Sequence, residues 1–175
     1  MNKKKVIFFS RTKEIHFQKW GFYQLDHDIL RSIYKKVYTS NSILKTIFLI
    51  IKYPKIEVYC YWWHTSFPVI LVSKILRRKV MTTGAIHMFD HSEMPDFYSK
   101  NLLYKILTML ALRMSDINLF DSKDQYLSIT SHLKVNNPKL VYRVLTRELS
   151  LNKLNELEIG KYLNKQKINL FFLSW

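Results

Sequence analysis

The chain has 175 residues, 48% of them hydrophobic, which is enough for one domain with a substantial core and excludes a disordered chain. Its 28 Lys and Arg against 13 Asp and Glu give a formal net charge of +15, which favours anionic partners such as nucleic acid, an acidic membrane surface or phosphate-bearing substrates. The charge is spread along the chain, so a simply solvated basic surface explains it equally well. With only three glycines, Gly-rich phosphate loops of the GxGxxG and Walker kinds are excluded.

The apolar stretches are short. Four apolar residues, 6–9, follow the basic start, too few for a signal peptide. The runs 46–51 and 68–72 are far below the roughly 20 residues that span a bilayer. We therefore expect a cytoplasmic protein, either soluble or peripheral to the inner face of the cell membrane. Cys60 is the single cysteine, and we expect a buried thiol in a reducing compartment.

Strand-like and helix-like patterns alternate along the chain. The predicted strands are 5–10, 37–39, 55–63, 79–84, 116–122 and 139–145, and the predicted helices are 26–36, 43–53, 67–78, 99–114 and 123–133. The candidate N-caps are Asp26 or Asp28, Ser40 or Ser42, and Ser122 or Asp124. Ile29 and Ile33 are expected on the buried face of the first helix, and Pro68 in the first turn of the third. This order predicts an α/β fold, a Rossmann-like parallel sheet with helices on both faces.

The last residues differ in character. Residues 149–166 are polar and helical, and 167–175 have the composition of a core strand. A single strand after such a helix suggests the first element of a second domain. We therefore expect a Rossmann-like domain at 1–146, a linker helix at 147–166, and at 167–175 the opening strand of a C-terminal domain that is missing.

Unusual side chains follow three neighbouring strands. They are Trp62, Trp63 and His64 after the third strand, Thr83 and Gly84 after the fourth, and Asp121, Ser122 and Lys123 after the fifth. In open parallel sheets, ligands bind outside the carboxyl ends of the strands, so these residues predict one cleft. The alternatives are that the tryptophans pack helices against the sheet and that His64 caps a helix.

The loop at 85–97 contains several possible metal ligands, namely His87, Asp90, His91, Glu93 and Asp96. The two histidines lie in a Pro-containing loop rather than on one helix face, and no distant third ligand is evident, so no metal site is predicted. No nucleophile-elbow sequence is present either. We interpret the segment as a polar loop that binds an acceptor, without a cofactor.

The stretch "IEVYCYWWHTSFPVILVSKILRRKVMTTGAIHMFD" (56–90) resembles the N-terminal domain of GT-B glycosyltransferases. The resemblance is to the family-four type that builds bacterial capsule and lipopolysaccharide glycans. It rests on a strand ending in tryptophan, a helix of the "PxILxxKIL" kind and "VxTTG", followed by "ALRMSD" (111–116) and "INLFDSKDQ" (117–125). "GFYQLDHDIL" (21–30) is similar to the first acceptor-side loop and helix of the family. The likeness covers roughly residues 5 to 145.

The resemblance implies two Rossmann-like domains, with the acceptor held by the N-terminal one and the nucleotide sugar by the other. The acceptor contacts it implies are Trp62, Trp63, His64, Thr83, Gly84, Ser122 and Lys123. Many members have histidine directly after the fourth strand, in "TxHG". Here Thr83 and Gly84 occupy that stretch, so His87 or Asp90 would have to take the catalytic role. The nucleotide-binding domain with its paired glutamates is absent, and the matching spacing of Glu148 and Glu156 is taken as chance.

The expected function is transfer of a sugar from a nucleotide sugar to a glycan or lipid-linked acceptor in cell-surface polysaccharide biosynthesis. The isolated chain is expected to be inactive. The alternative is a non-enzymatic basic domain that binds nucleic acid or a protein partner. Nucleic acid is disfavoured, because the aromatic residues are not interleaved with Lys and Arg.

A peripheral membrane role is a further hypothesis. Helices 43–53 and 101–114 combine apolar faces with Lys45, Lys52, Lys105 and Arg113. The alternative is that these apolar faces pack against the sheet.

Overall fold

The protein is described from a computed structural model, which covers residues 4–12, 21–86, 88 and 97–141. The strands are β1 (Lys5–Phe9), β2 (Lys36–Ser40), β3 (Glu57–Tyr61), β4 (Val80–Thr83), β5 (Ile117–Phe120) and β6 (Pro138–Leu140). The helices are α1 (Gly21–Ile33), α2 (Ile43–Lys52), α3 (Trp63–Ile75), α4 (Leu102–Met114) and α5 (Lys123–His132). The expected linker helix at 147–166 and strand at 167–175 lie outside the described residues.

The six strands form one sheet in the order β2-β1-β3-β4-β5-β6, and every neighbouring pair is parallel. In the register, Ile7 lies beside Val58, and Tyr59 lies beside Met81. All residues of β3 are buried, as expected for a central strand of a parallel sheet covered on both faces. The predicted Rossmann-like α/β fold is confirmed.

Helices cover both faces of the sheet. Alternate residues of β3 point to opposite sides, so Tyr59 and Tyr61 lie on one face and Val58 and Cys60 on the other. Helix α1 packs on the tyrosine face, where the rings of Tyr23 and Tyr61 are 4.5 Å apart. The other four helices share the core of the second face with Val58 and Cys60, through Ile50, Val69, Ile70, Ala111, Leu112 and Ile129.

The end of β3 differs from the prediction. The strand ends at Tyr61 rather than residue 63, and α3 begins at Trp63 rather than residue 67. Trp62 turns the chain with φ 67°, and its carbonyl accepts a hydrogen bond from the backbone N–H of Ser66 at 3.0 Å. Pro68 therefore lies inside the helix, where it lacks the N–H that would bond to the carbonyl of His64. Proline favours the first turn of a helix, and that preference misplaced the predicted start.

Helix α1 begins at Gly21, before the predicted residue 26, so neither Asp26 nor Asp28 is its cap. Asp26 is 6% exposed and accepts hydrogen bonds from the hydroxyls of Tyr59, at 2.5 Å, and Tyr61. Tyr23 and Leu30 are buried, Ile33 is partly buried, and Ile29 is 46% exposed, so the predicted buried face is wrong at Ile29. An acidic residue before an apolar run was interpreted as a cap, whereas this carboxylate is an inward-facing acceptor.

Two predicted caps are confirmed. Ser42 accepts from the backbone N–H of Lys45 at 3.4 Å, and Ser122 accepts from that of Gln125 at 3.1 Å. Each residue lies two positions after the end of a strand, β2 or β5, so both helices start at the carboxyl edge of the sheet. None of the described helices has the length and apolar character needed to cross a membrane.

A buried side-chain amide connects the sheet to two of the helices that pack on it. The side chain of Asn118 in β5 donates to the carbonyls of Leu112 (2.9 Å) and Asn136 (2.6 Å). Its Oδ1 accepts from the Trp63 indole N–H (3.2 Å) and from the Thr82 hydroxyl (2.8 Å). The amide is fully buried and every polar group on it is used, so it fixes two strands and two helices relative to one another.

Replacement of Asn118 by Leu keeps a similar volume and removes these four hydrogen bonds. We expect the free energy of unfolding to fall by about 3 kcal/mol, because buried donors and acceptors are left unpaired. Urea denaturation followed by circular dichroism measures the change. The exposed Asn41→Ala serves as the control and is expected to leave stability within about 0.5 kcal/mol. An equal effect of the two substitutions would contradict this role for Asn118.

Candidate functional site

The candidate site lies at the carboxyl edge of the sheet, where β1 and β3 are neighbours. Helix α1 follows β1 onto one face of the sheet, and α3 follows β3 onto the other. The chain therefore leaves these two strands in opposite directions, and this topology predicts a crevice between them. In open α/β sheets, ligands bind at such a switch point.

A cluster of hydroxyl groups lies beneath the crevice on the β1 side, in which Ser10 and Tyr23 are 0% and 1% exposed and Thr12 is partly exposed. Ser10 directly follows β1, and its Oγ lies 2.7 Å from the Thr12 hydroxyl and 3.2 Å from the Tyr23 hydroxyl. The Thr12 and Tyr23 hydroxyls are 2.7 Å apart. Tyr23 also accepts a hydrogen bond from the indole N–H of Trp62 at 2.8 Å, so this group of hydroxyls bridges the ends of β1 and β3.

Trp62 supplies the aromatic side of the crevice. Its backbone lies in the left-handed region, which is uncommon for a residue of this size and strained. The backbone N–H of Trp62 donates to the carbonyl of Thr83 at 2.8 Å, which ties the turn to the end of β4. The indole is partly exposed, and its N–H is fixed by Tyr23, so a flat apolar ring is held at the edge of the crevice.

Trp63 does not line the crevice. It is 1% exposed, and its indole N–H donates to Thr82 at 3.1 Å and to Asn118 at 3.2 Å. Its ring lies 5.7 Å from that of Phe120. The packing alternative therefore describes Trp63, whereas Trp62 occupies the position expected of a ligand-binding side chain. Two adjacent tryptophans differ in this way because one ends the turn and the other begins a helix.

Gly84 joins the ends of β4 and β5. A Cβ at Gly84 would lie 3.0 Å from two ring carbons of Trp63 and 3.3 Å from the Cα of Trp62, so a larger residue there would have to displace the Trp63 ring slightly. Its carbonyl accepts from the side-chain amide of Gln125 at 3.1 Å. Gln125 lies in the first turn of α5, next to its cap Ser122. Tyr23, Trp62, Gly84, Gln125 and Ser122 thus form one contiguous rim.

His64 is held in the first turn of α3. Its ring lies 4.2 Å from that of Tyr104 in α4. Burial, followed by the nearby ammonium group of Lys100, lowers the pKa of His64 below its ordinary value of 6.5. The imidazole is therefore neutral at pH 7 and keeps one nitrogen able to accept a hydrogen bond.

The remaining predicted site residues divide into three groups. Thr83 is fully buried and contributes its carbonyl to Trp62, while Ser122 and Lys123 are exposed. His87 and Asp90 lie outside the described residues, so their catalytic assignment stays a prediction. Among the residues that the structure describes, no group of three His, Cys, Asp or Glu side chains is placed to hold a metal ion.

The sequence prediction missed the hydroxyl side of the crevice. Ser10 follows a strand directly, so the rule that selected Trp62 and Ser122 would also have selected it. Tyr23 had no comparable signal, because the predicted α1 started after it. Its role depends on a contact with Trp62, a residue 39 positions away in sequence.

Comparison with known proteins supports the fold. No protein-family model matches this chain, and no curated protein matches its sequence significantly. The crystal structure of Anabaena Alr3699/HepE in complex with UDP and glucose is similar to it with a TM-score of 0.51 at 13% identity. The match covers 91% of this chain and 50% of that chain, so this chain spans about half the length of HepE. The HepE structure with UDP-glucose gives a TM-score of 0.49 at 13% identity.

At this level of identity the likeness shows the fold alone. The fold is the Rossmann-like α/β arrangement that the sequence analysis predicted. The activity, the substrates and the partners are matters for proposal and experiment.

The close approach of Gly84 to Trp63 gives a direct test of the rim. Gly84→Ala forces a methyl group against a buried, hydrogen-bonded ring, and we expect it to lower the free energy of unfolding by about 1–3 kcal/mol. Gly21→Ala is the matched control, since nothing lies within 4 Å of a Cβ there. Chemical denaturation midpoints of the two variants should differ clearly. Equal midpoints would show that the rim is looser than described.

Proposed function

We propose that this chain is the acceptor-side domain of a glycosyltransferase that moves a sugar from a nucleotide sugar to a glycan or lipid-linked acceptor. The observation that carries the proposal is the switch point between β1 and β3, where a buried group of hydroxyls holds the partly exposed side chains of Trp62 and Thr12. The domain around it is similar in fold to half of a protein that binds UDP, glucose and UDP-glucose.

The chemistry of the crevice suits a sugar. A pyranose has an apolar face of C–H groups and an edge of hydroxyls, and binding sites combine apolar surface with a few fixed polar groups. The Trp62 ring offers the apolar surface, and the partly exposed Thr12 hydroxyl offers a polar group that the buried Ser10 and Tyr23 hydroxyls hold in place. Little ordering is needed to receive an acceptor sugar, which favours binding.

The residues along the rim have distinct proposed roles. Neutral His64 would accept a hydrogen bond from an acceptor hydroxyl, and the exposed Ser122 and Lys123 would offer further polar groups. This geometry is held in place by buried contacts of Trp63, Thr83 and Gly84. His87 and Asp90 remain the proposed catalytic residues, in the segment that would approach the transferred sugar.

Transfer also requires that the charge of the leaving diphosphate be neutralised. We assign that task, and the binding of the nucleotide sugar, to a second Rossmann-like domain of the kind that the GT-B resemblance implies. The family-four type and a role in capsule or lipopolysaccharide synthesis belong to the same proposal. On this account the 175-residue chain binds acceptor sugars but does not turn over a nucleotide sugar by itself.

Ligand-detected NMR tests the proposal with methyl glycosides of common hexoses and N-acetylhexosamines. We expect saturation transfer from the chain to at least one glycoside, and about tenfold weaker binding after Trp62→Ala, because the stacking surface is lost. Tyr23→Phe removes the buried hydroxyl that holds the Trp62 indole and the Thr12 hydroxyl, and it should weaken the same ligand through their loss of order. Phe48→Ala, an exposed aromatic on α2, is the matched control and should change nothing.

Three results would contradict this function. Turnover of UDP-glucose by the purified chain would remove the need for a second domain. Glycoside binding that survives both Trp62→Ala and Tyr23→Phe would place the acceptor elsewhere. Tight RNA or DNA binding that falls steeply with salt, without any glycoside binding, would favour the nucleic-acid alternative.

A further inference from the structure

Helix α2 is apolar on two sides. Thr46 and Ile50 are fully buried against the sheet. Leu44, Phe48 and Ile51 follow one another along a different side of the helix, and they are 79%, 62% and 61% exposed. Packing against the sheet therefore accounts for one apolar side of α2 and leaves the other in solvent. A helix that is apolar on its exposed side needs an explanation beyond the core.

The exposed apolar surface continues onto neighbouring helices. Helix α3 packs between α2 and α4. Of the 12 large hydrophobic side chains found exposed among the described residues, eight belong to α2, α3 and α4. Those on α3 and α4 are Leu71, Ile75, Leu102, Leu103 and Ile106. Because single exposed apolar residues are ordinary and extended patches are not, this layer marks an interaction surface.

The charges on this layer have one sign. The sequences of α2, α3 and α4 contain no Asp or Glu. Their charged side chains are Lys45, Lys52, Lys74, Lys105 and Arg113. Lys74 is paired with Asp116, a residue beyond the end of α4. The partner of such a layer must therefore offer both apolar surface and negative charge.

Aromatic rings and ammonium groups meet at the end of α2. Tyr38 and Tyr53 stack with ring centroids 5.3 Å apart. The Nζ atoms of Lys5 and Lys52 lie 4.4 Å and 5.7 Å from the Tyr53 centroid, and that of Lys36 lies 4.9 Å from the Tyr38 centroid. A hydrogen bond from Tyr38, and then the three ammonium groups, lower the pKa of Tyr53.

This cluster is continuous with the apolar side of α2. Lys52 also lies over the ring of Phe48, with its Nζ 5.9 Å from the ring centroid. Tyrosine and lysine side chains combine an apolar body with a polar end, which suits the boundary between water and lipid. We define the α2 face as Leu44, Phe48 and Ile51 together with this cluster of Lys5, Lys36, Tyr38, Lys52 and Tyr53.

We propose that the α2 face docks on the surface of an anionic lipid bilayer. Leu44, Phe48 and Ile51 enter the boundary between headgroups and acyl chains, while the ammonium groups of Lys5, Lys36 and Lys52 contact lipid phosphates. This inference does not depend on the proposed sugar transfer.

Other occupants fit the α2 face less well. A second copy of this chain would bring the same lysines against these, with no acidic side chain on α2, α3 or α4 to pair with them. Nucleic acid would satisfy the charges, but its backbone offers nothing to Leu44, Phe48 and Ile51. An anionic bilayer satisfies both requirements at once.

Vesicle flotation tests the proposal with the full 175-residue chain. Vesicles of phosphatidylcholine alone are compared with vesicles containing roughly one third phosphatidylglycerol, at low and high salt. We expect flotation with the anionic vesicles, weakened by salt. Phe48→Glu should lower partitioning by about tenfold or more, because a carboxylate must enter the boundary region. Lys52→Gln should lower it about fivefold, which corresponds to about 1 kcal/mol for one charge.

Matched substitutions on α1, which covers the opposite face of the sheet, serve as controls. Ile29→Glu and Arg31→Gln alter an exposed apolar residue and an exposed cation there, and both should float like the unaltered chain. Leu44→Glu, at the most exposed position on α2, is the second variant if Phe48→Glu reduces the thermal stability.

Several outcomes would overturn the proposal. These are equal flotation with neutral and anionic vesicles, flotation unchanged by both Phe48→Glu and Leu44→Glu, and equal losses with Ile29→Glu. Size-exclusion chromatography without lipid tests whether the α2 face instead joins two copies of the chain. Self-association that Phe48→Glu abolishes would make the α2 face an interface between copies.

Discussion

The geometry of the site depends on the hydrogen bonds between the indole of Trp63 and the side chains of Thr82 and Asn118. They fix the first residue of α3 above β4 and β5, in a place that water does not reach. With Tyr61 held in β3, Trp62 connects a strand to a helix in one residue, and it does so with a positive φ. The strained turn thus follows from the buried polar contact beside it, and it directs the Trp62 ring to the crevice.

Much of this arrangement could be predicted from the sequence, because the parallel sheet and the caps at Ser42 and Ser122 depend on local patterns. The different positions of Trp62 and Trp63 could not, since they depend on Thr82 and Asn118, which are distant in sequence. The start of α1 was predicted wrongly for a related reason. Asp26 resembles a cap locally, and only the tyrosines of β3 reveal it as a buried acceptor.

The proposed lipid contact and the proposed acceptor crevice are compatible in space. Helix α2 starts directly after Ser42, at the carboxyl edge of the sheet, and Trp62 lies at the same edge. The apolar side of α2 therefore runs from the rim that carries the crevice down the outside of the domain. A lipid-linked acceptor could place its sugar at Trp62 while its lipid stays in the bilayer beside α2. The basic charge of the chain would then serve membrane contact rather than nucleic-acid binding.

The central claim is that an acceptor sugar binds against Trp62 at the crevice between β1 and β3. The indole N–H signals of the four tryptophans in a 15N-labelled chain test it most directly, with Trp62→Phe used to assign the signal of Trp62. During titration with a methyl glycoside, the account predicts that the Trp62 indole signal shifts in a saturable way while the buried Trp63 signal stays in place. A Trp62 signal that does not move at concentrations where the glycoside is bound would contradict it.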